Sequence, residues 1–254
     1  MTIELTVVDA FTDRPFSGNP AAVAVVDTFP DEDRMQAIAA EMALSETAFA
    51  VPRGDDLYDL RWFTPAVEVD LCGHATLATA HVLGRPARFS TRSGILTCSL
   101  GNDGLVEMDF PADPPVAAPA PEDLGLEGLQ WFGRGRFDAL AHCASASTVR
   151  RWAPDMGTVE RVAGRGLIVT APGDRPGIDC VSRFFAPAVG IPEDPATGSA
   201  HCTLGPFWAE RLGRGELTGE QASKRGATIH MRLDGDRVVL GGRAVTVSRV
   251  TLLV

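Results

Sequence analysis

A few residues in this chain have the types and spacing to move a proton on a small anionic molecule. Glu46, in Ala43-Leu-Ser-Glu-Thr-Ala-Phe49, stands between a helical pattern and a strand pattern with apolar residues on both sides. A carboxylate in apolar surroundings can act as a general acid or base near neutral pH, although a solvated glutamate or a helix-end cap is the ordinary reading of such a residue. His74 follows Cys72-Gly73 at the head of an apolar segment. There a glycine lets a ligand approach the backbone and the helix terminus offers free amides to an anion, so the imidazole can donate a proton or a hydrogen bond. Its alternative is a hydrogen-bonded core histidine. Cys72, beside the same terminus, is expected to have a lowered pKa and a reactive thiolate, or else to be a small buried apolar side chain. Asp194-Pro-Ala-Thr-Gly-Ser199 reads as a turn feeding a second helix, where Asp194 or Thr197 can cap and Gly198-Ser199 supply the first amides.

These groups belong to a segment written twice. Arg61-Trp-Phe-Thr-Pro-Ala-Val67 returns as Arg183-Phe-Phe-Ala-Pro-Ala-Val189, 122 residues later in a chain of 254. Two copies of one unit tend to pack about a pseudo-twofold axis, and ligand pockets favour such interfaces. Cys72 lies five residues after Val67 and Asp194 five after Val189, so a titratable group is expected at the same register in both copies. Glu46 comes from outside the repeat.

The elements that position them follow from periodicity and turn chemistry. Ile3 to Phe11 and Ala21 to Val26 read as strands around the turn Ser17-Gly-Asn-Pro20, and Asp31 to Ala43 as a helix with Met35, Ile38, Ala39 and Met42 on one face. Thr47 to Val51 and Tyr58 to Phe63 resume the strand pattern. Gly73 to Leu83 is short, apolar on nearly every side and followed by Gly84, which predicts a helix enclosed by protein; Thr197 to Leu212, followed by Gly213, predicts the same. Phe89 to Leu100 and Leu105 to Phe110 read as strands. Pro111 to Pro121, with five prolines, is the best linker. Beyond it come a strand at Phe137 to Cys143, mostly helix over Ser147 to Ala163, a strand at Leu167 to Thr170, and strands after Gly226.

Composition narrows the function classes. A hydrophobic fraction of 45% over 254 residues excludes disorder and fits two domains. No apolar run reaches the length of a membrane span, and Met1 to Val8, with Glu4 inside, lacks the regions of a signal peptide; a cytoplasmic protein without membrane association is expected. A formal charge of −10 without a compensating basic cluster argues against nucleic acid. The five cysteines, without a CxxC pair, indicate neither a disulfide framework nor a structural zinc site. The neighbouring pairs Cys72/His74, His142/Cys143 and His201/Cys202 lack tetrahedral spacing, so no metal is expected. The single lysine, Lys224, sits in a polar turn-like stretch, unsuited to a pyridoxal Schiff base. No GxGxxG, P-loop or GxSxG pattern is present.

Four ordered motifs, Phe11-Thr-Asp-Arg-Pro-Phe-Ser-Gly-Asn-Pro-Ala-Ala-Val23, Leu44-Ser-Glu-Thr-Ala-Phe49, Asp70-Leu-Cys-Gly-His-Ala-Thr76 and Glu193-Asp-Pro-Ala-Thr-Gly-Ser-Ala-His201, together resemble the PhzF (phenazine-biosynthesis-like) isomerases over nearly the whole chain. The resemblance implies an α+β, diaminopimelate-epimerase-like fold. In that fold two similar domains, related by a pseudo-twofold, each roll a mostly antiparallel sheet around a central helix, with the active site between them. The expected domains are 1–114, which the C-terminal strand 244–254 can complete, and 115–243. The resemblance further implies cofactor-free proton transfer at carbon on a small carboxylate-bearing metabolite, usually in a homodimer. Glu46, His74 and Asp194 are then the catalytic residues, and Ser45, Cys72, Gly73, Thr197, Gly198 and Ser199 the substrate-binding ones. Phenazine-pathway members carry a small residue before the Gly-His pair and proline after it. Cys72-Gly-His-Ala75 instead resembles the broader branch, so phenazine synthesis does not follow from the family name. Two alternatives remain open: an amino-acid epimerase or racemase with Cys72 as second base, and a catalytically silent metabolite-binding protein of the same fold.

Overall fold

An α-helix apolar on every side has to be surrounded by protein, and the chain contains two such helices, each inside its own set of strands. The computed structural model describes residues 2–253. Its contacts divide into two units, one of the residues up to Asp109 together with those from Gly241 onward, the other Phe110–Leu240.

The first unit runs β1 (Thr2–Ala10), β2 (Asn19–Val25), α1 (Glu32–Met42), β3 (Glu46–Gly54), β4 (Leu57–Phe63), β5 (Glu68–Val69), α2 (Gly73–Leu83), β6 (Ala87–Thr91), β7 (Gly94–Leu100) and β8 (Val106–Pro111), and the chain's last strand, β18 (Ala244–Leu253), joins it. β1 lies antiparallel between β18 and β2. β2 pairs parallel with β3 across the α1 connection, and β4 pairs parallel with β6 across α2; the remaining neighbours are antiparallel. β2 and β3 touch α2, and β3 also touches α1. Covered on both faces, their residues Ala21–Ala24 and Thr47–Val51 are buried without alternation, as parallel strands between helices should be. Met35, Ile38 and Ala39 of α1 pack on Ile3, Leu5, Ala22, Phe49 and Phe63, while α2 is buried from His74 to Ala80.

The second unit repeats the plan: β9 (Val116–Ala117), β10 (Leu129–Arg134), β11 (Asp138–Cys143), α3 (Ala146–Arg151), α4 (Met156–Ala163), β12 (Gly166–Pro172), β13 (Cys180–Ala186), a 3-10 turn (Pro187–Val189), β14 (Ile191–Asp194), α5 (Gly198–Leu212), β15 (Glu216–Gln221), β16 (Ala227–Asp234) and β17 (Arg237–Gly242). β11 pairs parallel with β12 across α3 and α4, and β13 parallel with β15 across α5. The hairpins between are antiparallel. Antiparallel hairpin, parallel crossover, hairpin, parallel crossover is thus the order of pairings in both units.

Element by element, the sequence expectations hold to within a few residues, with three differences. Pro111 to Pro121 is no free linker: Val116 and Ala117 pair with Arg134 and Gly133, and the Ala118 amide donates to the Phe132 carbonyl. Proline-rich chain has few amide donors, but an edge strand needs only some of them. The stretch Ser147 to Ala163, expected to be mostly helix, divides into two helices, each capped by its own side chain, Ser145 and Asp155, both accepting from a Thr amide. Pro154 forces the break. The strand expected over Phe89 to Leu100 turns back at Arg92-Ser93 into the β6–β7 hairpin.

Backbone strain gathers in the loop between β1 and β2. Phe11 and Phe16 hold φ of +61° and +66°, and Phe16 N–H donates to Asp9 Oδ2 at 2.7 Å. At Gly18 (φ +64°) a Cβ would stand 2.0 Å from the Ala10 carbonyl oxygen, whereas at Gly84, with the same φ, it would meet nothing. Gly84→Ala should therefore lower stability by only about 1 kcal/mol, the left-handed backbone term. Gly18→Ala, which adds the clash with backbone, should lose at least about 2 kcal/mol; urea midpoints of the two variants test the difference.

Candidate active site

The all-apolar α2 brings its first turn to where β2 and β3 begin. Glu46 opens β3, opposite Ala21 in the parallel ladder, and His74 is the second residue of α2. Both are buried, with Glu46 Oε2 2.8 Å from His74 Nε2. The contact has the length of an ion pair, and no hydrogen bond to Oε2 meets ordinary geometry among the described residues. Asn19, the first residue of β2 and fully buried, places its amide nitrogen 3.2 Å from His74 Nδ1. An amide N–H only donates, so with the amide in this orientation Nδ1 accepts and a neutral ring carries its proton on Nε2. Protonation of the ring would turn the Asn19 amide over to present its oxygen. Cys72 Sγ lies 3.5 Å from Nδ1 and 3.9 Å from Nε2. Ser45, directly before Glu46, and Gly73, directly before His74, are half-buried.

Burial alone would lower the pKa of His74, but negative charge on Cys72 and Glu46 beside it outweighs burial and pushes it well above the ordinary imidazole value. Burial first, and the charge of Glu46 second, push the Cys72 thiol up. The thiol is therefore held protonated at neutral pH, and the charge of Glu46 contributes to both shifts.

In the second unit the head of α5 is built differently. Thr197 is its N-cap residue, but the Thr197 hydroxyl donates to Asp194 Oδ2. The Thr197 amide is taken by Gln221 Oε1 at 2.8 Å, and Gln221 Nε2 donates to the Asp194 carbonyl at 2.7 Å, so one buried side chain of β15 locks the turn Asp194–Thr197. Ser199, half-buried, accepts from Arg165 Nη2 at 2.8 Å. Arg165 Nε donates to Asp138 Oδ1 at 2.9 Å and Nη2 to Asp138 Oδ2. Asp138 is almost wholly buried, and desolvation pushes its pKa up against the opposing pull of Arg165. Because a guanidinium only donates, Ser199 Oγ is held as acceptor and its own O–H is left to donate elsewhere.

A buried carboxylate against a buried imidazole, at the head of a helix whose N-cap Cys72 makes no side-chain cap bond, is an arrangement that can transfer protons. The PhzC-PhzF family model, described as phenazine biosynthesis-like protein, matches residues 8–250. The chain belongs to this family. It is similar to an uncharacterized isomerase of Halalkalibacterium halodurans, 47% identical over 265 residues that cover 100% of this chain and 99% of the relative. A crystal structure of a PhzF-family phenazine biosynthesis protein from Enterococcus faecalis aligns over 100% of both chains with TM-score 0.95 and 39% identity. A hydroxyproline epimerase from Agrobacterium vitis, with bound trans-4-hydroxy-L-proline, shares the fold at 12% identity, with TM-score 0.59 over 99% of this chain and 92% of its own. The fold is the α+β, diaminopimelate-epimerase-like one, and the chain is an isomerase of the PhzF type.

In this PhzF-type chain two expectations are corrected. Cys72 is not a lowered-pKa thiolate, because desolvation exceeds what the helix terminus and His74 return. Cys72 and Asp194 do not share a register either. Cys72 is the N-cap of α2, and the N-cap of α5 is Thr197, three residues beyond Asp194. The repeat is offset by 122 residues at Arg61/Arg183 and by 125 at the helix heads, because the second copy adds three residues around the turn Pro187–Gly190. Sequence reasoning missed Asn19, Asp138, Arg165 and Gln221. Asn19 lay in a quoted motif, but Asp138 and Arg165 stand in strand and turn text with no local mark.

Two measurements test the second unit. Arg165→Met would leave the Asp138 carboxylate buried and unpaired; since the guanidinium is itself more than a third exposed, the loss should be about 2–3 kcal/mol, and Asp138→Asn in the same chain should recover most of it in urea unfolding. His201, wholly buried with its Nδ1 2.8 Å from the Thr197 carbonyl, has its pKa lowered to about 4 by burial, against the opposing pull of that bond. Unfolded, it titrates near 6.5, so protons bind the unfolded chain first as pH falls. Stability is full above about 6.5 and decreases as pH drops toward 4, by up to about 3 kcal/mol. His201→Gln should lose that part of the acid slope relative to wild type.

Proposed function

We propose that this PhzF-type isomerase moves a proton between carbon atoms of a small carboxylate-bearing metabolite without a cofactor. The observation that carries the reading is the buried Glu46–His74 contact at 2.8 Å beside the first amides of α2. Glu46, as carboxylate, takes a proton from carbon and returns it to another carbon of the same molecule. The His74 imidazole, held by Asn19, steadies the carboxylate between the two transfers and donates to charge that develops on the substrate. Backbone amides at Gly73-His74, with Ser45 and Cys72 beside them, receive the substrate's carboxylate or the developing oxyanion. By family resemblance Asp194 is assigned a catalytic part, and Thr197, Gly198 and Ser199 contacts with substrate. The same resemblance supports a cytoplasmic homodimer as the working form. The fold carries small-carboxylate chemistry in the hydroxyproline epimerase with its bound amino acid, which is support at the level of fold alone.

A second reading, epimerisation at one carbon, draws on the protonated thiol of Cys72, which lies 3.5 Å from His74 Nδ1 and can serve as the acid opposite a carboxylate base. Incubation of the protein with carboxylate metabolites in D2O, read by mass spectrometry, separates the possibilities. Isomerisation predicts deuterium at a carbon of the rearranged product, a fall in turnover of at least about 100-fold in Glu46→Gln, and little change in Cys72→Ala. Label at an unrearranged stereocentre, lost in Cys72→Ala, would replace isomerisation by epimerisation. Turnover that persists in Glu46→Gln would remove the glutamate from the chemistry, and no turnover over the whole panel would favour a silent binding protein.

A further inference from the structure

The atoms that meet at the head of α2 are of three different kinds, and each can ligate a metal ion. Glu46, Cys72 and His74 are all buried, and one ligand atom from each lies within 4.8 Å of the other two. Cys72 and His74 share only long sulfur contacts, at 3.5 and 3.9 Å. Glu46 Oε2, on a residue only 8% exposed, stands 2.8 Å from His74 Nε2 and has no hydrogen bond among the described residues. Two ligands of one ion point at the ion and not at each other. With metal–nitrogen and metal–oxygen lengths of about 2.1 Å, atoms 2.8 Å apart subtend about 85° at a zinc ion, and with a metal–sulfur length of about 2.3 Å the 3.9 Å from Nε2 to Cys72 Sγ subtends about 125°. Both angles fall within the spread of distorted tetrahedral sites, reached with sub-ångström adjustment.

We propose that Glu46, Cys72 and His74 form a binding site for a borderline-soft divalent cation of the zinc type, held by Oε2, Sγ and Nε2 with the fourth position open to water or an anion. The ion takes the place of protons. The Cys72 thiol gives its proton to solvent and binds as thiolate, Nε2 binds through its lone pair, and the ring's remaining proton sits on Nδ1. There the Asn19 amide, turned over, accepts it through Oδ1, the usual outer partner of a ligating imidazole. Sequence neighbours alone give no sign of this third ligand, because Glu46 stands 26 residues before Cys72, on a different element.

Binding itself stands apart from the catalytic reading. Its consequence rests on that reading: an ion on the Glu46 carboxylate and on Nε2 occupies the lone pairs that proton transfer needs, so the cation inhibits and a chelator restores activity.

The test uses the whole protein and the metal alone. Titration with Co2+ should give one thiolate-to-cobalt absorption band in the near ultraviolet per chain, and Zn2+ should displace the cobalt and abolish the band. Cys72→Ser, nearly the same size as cysteine, should lose the band, and Zn2+ affinity by calorimetry should fall at least tenfold in it and in Glu46→Gln. Absence of a cobalt–thiolate band in the wild-type protein overturns the proposal. So does a band, or a Zn2+ affinity, that survives Cys72→Ser unchanged, since the ion would then be held elsewhere. If the site binds zinc but turnover persists in Glu46→Gln in the D2O assay, the metal site stands and the catalytic reading falls.

Discussion

A short helix without a polar face is stable only if something apolar covers it all round, and α2 sets that condition on everything near it. From His74 to Ala80 every residue is buried, so β1, β2, β3 and β18 must all reach it. The strands that lie between α2 and α1 lose their alternation and become continuous apolar runs, Ala21–Ala24 and Thr47–Val51. Enclosure leaves the helix terminus as the place where polar groups can gather. Gly242, where a Cβ would stand 2.4 Å from the Phe11 ring and 2.8 Å from Leu77, shows how little room the enclosing strands leave around α2.

The doubled segment is a device for anchoring the strand that leads into each enclosed helix. Arg61 grips Glu68 with Nε and Nη2, at 2.7 and 2.6 Å, and its guanidinium stacks over the Phe63 ring at 5.2 Å. Arg183 grips Glu193 in the same fashion at 2.7 and 2.9 Å and stacks over Phe185 at 4.7 Å. A bidentate pair of this kind fixes direction as well as distance. In each unit it ties β4 or β13 to the short return strand before the helix. The second copy spans its pair with three more residues than the first, and so Asp194 can stand ahead of its helix while Cys72 stands at the cap of the other.

Much of the fold was legible because periodicity is local. The all-round apolar text of Gly73 to Leu83, with Gly84 after it, is visible to anyone counting turns, and the helix found there matches. The site was legible only in part. Glu46 and His74 were singled out separately for their surroundings, but nothing in either neighbourhood says that β3 and α2 bring them to 2.8 Å. Asn19, Gln221 and the Asp138–Arg165 pair act across 24 to 55 residues of chain, where single-sequence reasoning has no signal. Of the two readings open for Cys72, the buried apolar side chain prevails over the thiolate for a physical reason: a helix terminus stabilises a thiolate by a fraction of what full burial removes.

The two helix heads, alike in backbone, end up chemically opposed. At α2 stand groups that can hold or release a proton: a carboxylate, an imidazole whose pKa the neighbouring Cys72 and Glu46 raise, and a thiol kept protonated by burial. At α5 the hydrogen-bond directions are fixed by obligate donors. Arg165, pinned by a buried carboxylate, can only donate, so Ser199 must turn its own proton outward; the Thr197 hydroxyl is spent on Asp194 and its amide on Gln221. A serine whose oxygen is already occupied by a guanidinium is a poor nucleophile and a better donor. One head therefore holds groups whose protonation can change, whereas at the other Thr197 and Ser199 are fixed in hydrogen-bond direction. Two segments alike in sequence thus end in helix heads of different chemistry, one set by titratable groups and the other by donors of fixed direction.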